Sequence, residues 1–212
     1  MKKLFIIIAT LAFMVSNSNA QDNETSESPQ FGFKIGANLA NVYDTDGDQF
    51  KADAKLGLAA GAFLSIPLGR IFGIQPEILY SQKGYQSSGS IIEFDYKYTH
   101  TSNFIDVPLL VAFKPIPFLT ILAGPQYSFL LSEKNEFTNT VFSDPLIQEH
   151  NFNNDNVRKN ILGFVIGGDI NVGKVVISAR AGWDILNNNG DGTQTIPRYK
   201  NVYYQGTLGY RF

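Results

Sequence analysis

The chain of 212 residues contains no cysteine, two histidines, two methionines and one tryptophan. Without cysteine there is no disulfide scaffold, no thiolate zinc site and no Cys nucleophile. Charged residues make up only 17%, against roughly 25% in an ordinary soluble domain, which excludes a charged helical bundle. The formal charge of −2 leaves no electrostatic footprint for nucleic acid. After the first twenty residues, no stretch approaches the roughly eighteen consecutive apolar residues of a membrane-spanning helix.

What the chain does have is aromatic and small. It carries 17 Phe, 10 Tyr and 19 Gly, with 44% hydrophobic residues. That profile excludes intrinsic disorder, and the length suits one medium-sized domain. The chain opens with Met1-Lys2-Lys3, an apolar run over 4–15, and the small residues Ser18 and Ala20 around Asn19. Residues 1–20 therefore have the layout of a cleaved secretory signal peptide, and the run is short for a permanent span. Loss of Lys2 and Lys3 would take the formal charge from −2 to about −4. Residues 21–30 read as a polar disordered leader, and 31–212 as the folded domain.

From Phe31 onward, apolar residues recur with period two, the period of β-strands. Phe31, Phe33, Ile35, Ala37 and Leu39 share one face of the first stretch. Ile105, Val107, Leu109, Val111 and Phe113 do so mid-chain, and Val202, Tyr204, Leu208, Tyr210 and Phe212 at the end. Eight such strands are expected. Residues 67–70, 114–117 and 171–174 read as tight turns on Pro or Gly, and 41–54, 82–103, 132–160 and 187–201 as long polar loops. Hairpins with one short-turn end and one long-loop end produce that rhythm. The strands exceed the usual length in soluble sheets and match the roughly 9–11 residues that a tilted strand needs to cross a bilayer. Tyr96 and Tyr98, in an alternating stretch over 91–101, would extend strands above the membrane.

The opposite face decides which side points outward. It carries Gly32, Gly36, Gly57, Ala59, Gly61, Gly124, Gly167 and Gly182, not the Lys, Glu and Thr of a water-facing sheet. Small side chains fit the crowded interior of an eight-stranded barrel, so the apolar face meets lipid. The charges expected inside are Lys34, Lys114, Arg180 and Arg211 against Glu77, Asp106, Asp169 and Asp184, with Gln75 and Gln126 beside them. Equal numbers suit a paired network, because unpaired buried charge is costly. Tyr80, Phe113, Phe118, Tyr127, Trp183, Tyr203, Tyr204 and Tyr210 gather at strand ends, as interfacial girdles do.

The stretch Ile74-Gln75-Pro76-Glu77-Ile78-Leu79-Tyr80-Ser81-Gln82-Lys83-Gly84 resembles a signature of the PorT-like outer-membrane β-barrel family. Ile105-Asp106-Val107-Pro108-Leu109-Leu110 resembles another of its strands, with Asp106 where Glu is more usual. Phe31-Gly32-Phe33-Lys34-Ile35-Gly36-Ala37-Asn38 resembles its opening strand, and Ala179-Arg180-Ala181-Gly182-Trp183 a later one. The resemblance implies the barrel fold and a role in protein secretion, though most members are surface barrels without an assigned task. Tyr210-Arg211-Phe212 resembles the aromatic last strand that the outer-membrane assembly machinery reads.

Candidate chemistry is sparse. Glu77, Asp106 and Arg180 suggest a lumen cluster in which the Arg180 fork accepts both carboxylates; its simplest role is a plug that fixes register. Neither His100 nor His150 sits in a sequence context that fixes triad geometry, and two isolated histidines do not define a zinc site. Residues 44–48 and 187–192 look like calcium loops. Their twelfth positions, however, are Lys55 and Arg198 where a bidentate Glu belongs, so both read more simply as turns. The segment 132–160 carries Phe137, Phe142, Pro145, Leu146, Ile147 and Phe152. It either folds over the barrel mouth or presents a surface to a protein or glycan.

The expectation is an all-β, eight-stranded antiparallel up-and-down transmembrane barrel in the bacterial outer membrane, its lumen closed. It would be a non-enzymatic surface-interaction or secretion-accessory component, without catalytic, cofactor or metal residues. Its partners would be outer-membrane lipid, the assembly machinery and a surface or secretion-system protein, with no nucleic acid. The alternatives are a small-solute porin or channel and a soluble lipocalin-like binder.

Overall fold

The computed structural model describes residues 28–44, 52–91, 94–139, 146–151, 159–187 and 199–212. The expected signal peptide, most of the leader and most of the two calcium-like segments lie outside the described residues.

Among the described residues, nine strands form one antiparallel sheet: β1 (Gln30–Asp44), β2 (Asp53–Pro67), β3 (Phe72–Ile91), β4 (Phe94–Ile116), β5 (Leu119–Asn139), β6 (Leu146–Asn151), β7 (Asn160–Val172), β8 (Val175–Asp184) and β9 (Tyr199–Arg211). Eight of them close into a ring, because β1 pairs with both β2 and β9 while β5 joins β4 to β7. Closure lets backbone groups pair around the sheet, the condition for a non-helical span of lipid. β6 stands above the ring and pairs with β5 over 132–137, on the edge that β7 occupies lower down. The tight turns cluster at the end where β1 begins and β9 finishes. There the Phe212 N–H donates to the Phe31 carbonyl at 2.9 Å.

Alternation sets the two faces. On β4, Leu109 is 53% exposed while Leu110 is fully buried. Phe33, Ile35, Leu39, Leu58, Ile166 and Leu208 are likewise exposed to the outside. The apolar band ends at a polar belt. The Tyr80 hydroxyl donates to Asn103 Oδ1 and Asn103 Nδ2 to Ser132 Oγ, both at 2.9 Å. Inside, a Cβ on Gly36 would run into the Gly206 carbonyl, and one on Gly61 into the Ile78 carbonyl. Glycine there lets neighbouring backbones approach as the strands coil into a small ring.

Three features differ from the expectation. The segments 82–103 and 132–160 contain strand: β3 runs to Ile91, β4 starts at Phe94, and β5 continues to Asn139 before β6 returns. Above the lipid the outward face no longer needs apolar residues, so the period fades while the ladder persists. β4, at 23 residues, is about twice the length needed to cross a bilayer. Second, the interior also holds bulky apolar residues: Leu110, Leu122, Val165 and Tyr203 in one cluster, Phe104, Leu130 and Ile161 in another. The run 107–113 is apolar on both faces, which hides its inner half from a period-two reading. Third, β5 contains a bulge. Asn103 partners Ser132 while Phe104 partners Leu130, leaving Leu131 extra. The insertion reverses the phase of β5, so Leu130 and then Glu133 both face inward.

Candidate functional site

The lumen side chains form levels. In the lower level, Lys34 of β1 meets Glu77 of β3 at 2.6 Å. Arg180 of β8 reaches Glu77 Oε1 at 3.0 Å through Nη1, and Asp169 of β7 at 2.9 Å through Nη2. Gln75 Nε2 donates to Glu77 Oε1 at 2.9 Å and to Asp169 Oδ2 at 3.4 Å. Two cations and two anions thus balance across the barrel with almost no exposure. Charged groups so far from water persist only when paired and hydrogen-bonded in this way.

The next level centres on Lys83 of β3. Its ammonium pairs with Asp106 of β4 at 3.0 Å, donates to Ser128 Oγ at 3.3 Å, and lies 4.8 Å and 4.7 Å from the ring centres of Phe104 and Tyr203. The Tyr203 hydroxyl donates to Gln126 Oε1 at 2.7 Å. Beside it, Gln205 Nε2 donates to Asn38 Oδ1 and Asn38 Nδ2 to Ser81 Oγ, both at 2.9 Å. Asp184 accepts from the backbone N–H and side-chain amide of Asn201. The contacts tie β1, β3, β4, β5, β7, β8 and β9 together through the lumen.

Above these levels is the mouth. His100 and Ser102 project inward from β4, and the β5 bulge places Glu133 and Asn135 opposite them. His100 Nδ1 lies 2.6 Å from Asn135 Oδ1, which also accepts the Tyr98 hydroxyl at 2.8 Å. His100 Nε2 lies 2.9 Å from Ser102 Oγ, 3.2 Å from the Tyr199 hydroxyl and 3.7 Å from Glu133 Oε1. The Tyr85 ring stacks on the imidazole at 5.1 Å. Burial raises the phenol pKa of both Tyr85 and Tyr98, so both remain protonated donors.

Several sequence expectations change. Arg180 bridges Glu77 and Asp169, not Glu77 and Asp106; the cation at Asp106 is Lys83. Lys114 and Arg211 stand at the short-turn end, not in the lumen. Lys114 is half-buried near the end of β4, and Arg211 donates to the Gly173 carbonyl at 3.2 Å in an exposed position. At strand ends an inward direction points past the barrel. Lys83 and Glu133 were not counted among the interior charges, and His100 read as isolated, because all three fell in segments taken for loops. The signal for Lys83 was available: it continues the phase of Glu77, Leu79 and Ser81. His150 lies in β6, in register with Glu133.

The sequence pattern of the outer membrane protein beta-barrel domain family matches residues 19–188. The chain belongs to that family. This outer-membrane barrel accordingly resides in the bacterial outer membrane, with its apolar band against lipid. Solved structures similar to it include Ail, the attachment invasion locus protein of Yersinia pestis, at 15% identity over 86% of this chain and 98% of that one, with a TM-score of 0.47. Neisserial surface protein A is 11% identical, covering 88% of this chain and 100% of its own, with a TM-score of 0.46. OprG of Pseudomonas aeruginosa is 11% identical, covering 90% and 99%, with a TM-score of 0.42. No curated protein matches the barrel's sequence.

Proposed function

We propose that this barrel is a closed scaffold whose function lies outside the membrane, as a surface-interaction or protein-secretion accessory component. The filled lumen carries the reading. An eight-stranded ring has room for side chains and little more. Here Lys34, Glu77, Asp169 and Arg180 occupy one level, and Lys83, Asp106 and Tyr203 the next. The wall built by β3, β4, β5 and β6 above the polar belt offers the surface for a partner, and the PorT-like motifs favour a partner in secretion. On this reading residues 1–20 are removed during export, and Tyr210-Arg211-Phe212 is the segment the assembly machinery reads.

Replacing residues 86–99 with a two-residue turn removes the top of the β3–β4 hairpin and spares both ion-pair levels. The trimmed barrel is expected to insert normally, with heat-modifiable gel migration, while the profile of secreted and surface proteins changes as in a strain lacking the whole barrel. An unchanged profile, set against a clear defect in that strain, would place the function elsewhere in the molecule.

A further inference from the structure

The scaffold role does not use the chemistry of the mouth. His100 and Ser102 are two residues apart on β4, so their side chains leave the same face, and both are nearly fully buried. Asn135 Oδ1 can only accept, and it receives His100 Nδ1 at 2.6 Å and the Tyr98 hydroxyl at 2.8 Å. Nδ1 therefore carries the proton, and Nε2 turns its lone pair toward Ser102 Oγ at 2.9 Å, the hydroxyl's other acceptor being Glu133 Oε1 at 3.4 Å. A hydroxyl, an imidazole that can take its proton and a third group that fixes the imidazole tautomer are the parts of an activated serine. The Leu131 bulge is what makes the third part available, since without it Asn135 would face outward. Two neighbours add to the arrangement. Glu133 Oε1, 3.7 Å from Nε2, favours the imidazolium formed as the proton moves. The Tyr199 hydroxyl, 3.2 Å from Nε2, donates to it at rest and loses that acceptor once Nε2 takes the serine proton, becoming a donor of the kind that stabilises an oxyanion.

We propose that Ser102 is a His100-activated nucleophile that takes acyl groups from small carboxylic esters entering the barrel mouth, an activity beyond the scaffold role. Ser102 Oγ bonds to the ester carbon as its proton passes to His100 Nε2. The carbon–oxygen bond to the alcohol then breaks, and the alcohol leaves with that proton. Water, deprotonated by Nε2 in turn, cleaves the acyl-serine, releasing the acid and restoring Ser102. The surrounding rings of Tyr85, Tyr98 and Tyr199 favour aryl or short-chain esters.

The test is covalent labelling of the detergent-purified barrel with a fluorophosphonate. Its P–F bond breaks as the Ser102 Oγ–P bond forms, and fluoride leaves as the serine proton goes to His100. Peptide mass spectrometry is expected to find the label on Ser102 in protein that migrates as folded, with p-nitrophenyl acetate hydrolysis above the buffer rate. His100→Phe should slow labelling by about 10²–10⁴-fold, the usual reach of a general base. Because the chain has no cysteine, Ser102→Cys supplies a second readout. Its thiol should react with iodoacetamide faster than the same thiol in a His100→Phe background. No label on Ser102 in folded protein, or rates that do not depend on His100, would overturn the proposal and leave the mouth as a structural hydrogen-bond network.

Discussion

Arg180→Met removes the one guanidinium of the lower lumen level and leaves the strand geometry intact. At 2.9 Å and 3.0 Å from Asp169 and Glu77, each attraction is worth about 6 kcal/mol gross at an effective dielectric constant of about 20. Desolvation of the three charged groups offsets most of that, at several kcal/mol per ion. Glu77 keeps Lys34 at 2.6 Å, so the damage falls on Asp169, which is left with the Gln75 amide at 3.4 Å. A buried carboxylate stripped of its cation costs about 3–5 kcal/mol, and Arg180→Met should lower unfolding free energy by that amount in urea titrations of the lipid-reconstituted barrel. Arg180→Met combined with Asp169→Leu removes the orphaned charge and should recover most of the loss. A single variant costing under about 1 kcal/mol, or a double variant no better than the single, would refute the view that pairing holds this level together.

Four other perturbations probe different parts of the barrel. Leu109, outward-facing and central on the β4 apolar ladder, should cost about 2–4 kcal/mol when changed to Arg, read by the same titration. Ile166→Ser on β7 should cost less than half of that. Deleting Leu131 removes the bulge, so a cysteine placed at 133 should lose its inward environment and react faster with a membrane-impermeant maleimide than in the full-length chain. Deleting Phe212, which donates to Phe31 and packs its ring against Phe31, Phe33 and Tyr210, should slow assembly in pulse–chase gels, with little effect on the lumen.

The transmembrane part of the fold was legible because lipid imposes a strict rule. Ile105, Val107, Leu109, Val111 and Phe113 must all face outward, and small residues must fill the inner side of a narrow ring. The same rule ends where the lipid ends. Tyr96 and Tyr98 hinted at strand above the membrane, but His100 and Ser102 add no apolar period, so most of the upper wall read as loop. The lower ion-pair level was visible in Lys34, Glu77, Asp169 and Arg180, since charge on a strictly alternating inner face has few places to go. Which cation meets which anion was not visible, because partners on β1, β3, β7 and β8 meet through strand stagger that local spacing does not encode. The mouth depended on one inserted residue, Leu131. A one-residue phase change in a polar stretch leaves no periodic trace, and it alone brings Glu133 and Asn135 to His100.

The closed lumen is tested most directly by solute leakage from liposomes containing the refolded barrel, with heat-modifiable migration confirming insertion. Inserted wild-type protein is expected to hold a trapped dye and small sugars as tightly as protein-free liposomes. Rapid wild-type leakage would contradict a lumen filled by Lys34, Glu77, Asp169, Arg180, Lys83 and Asp106, and would make solute transport the function to pursue.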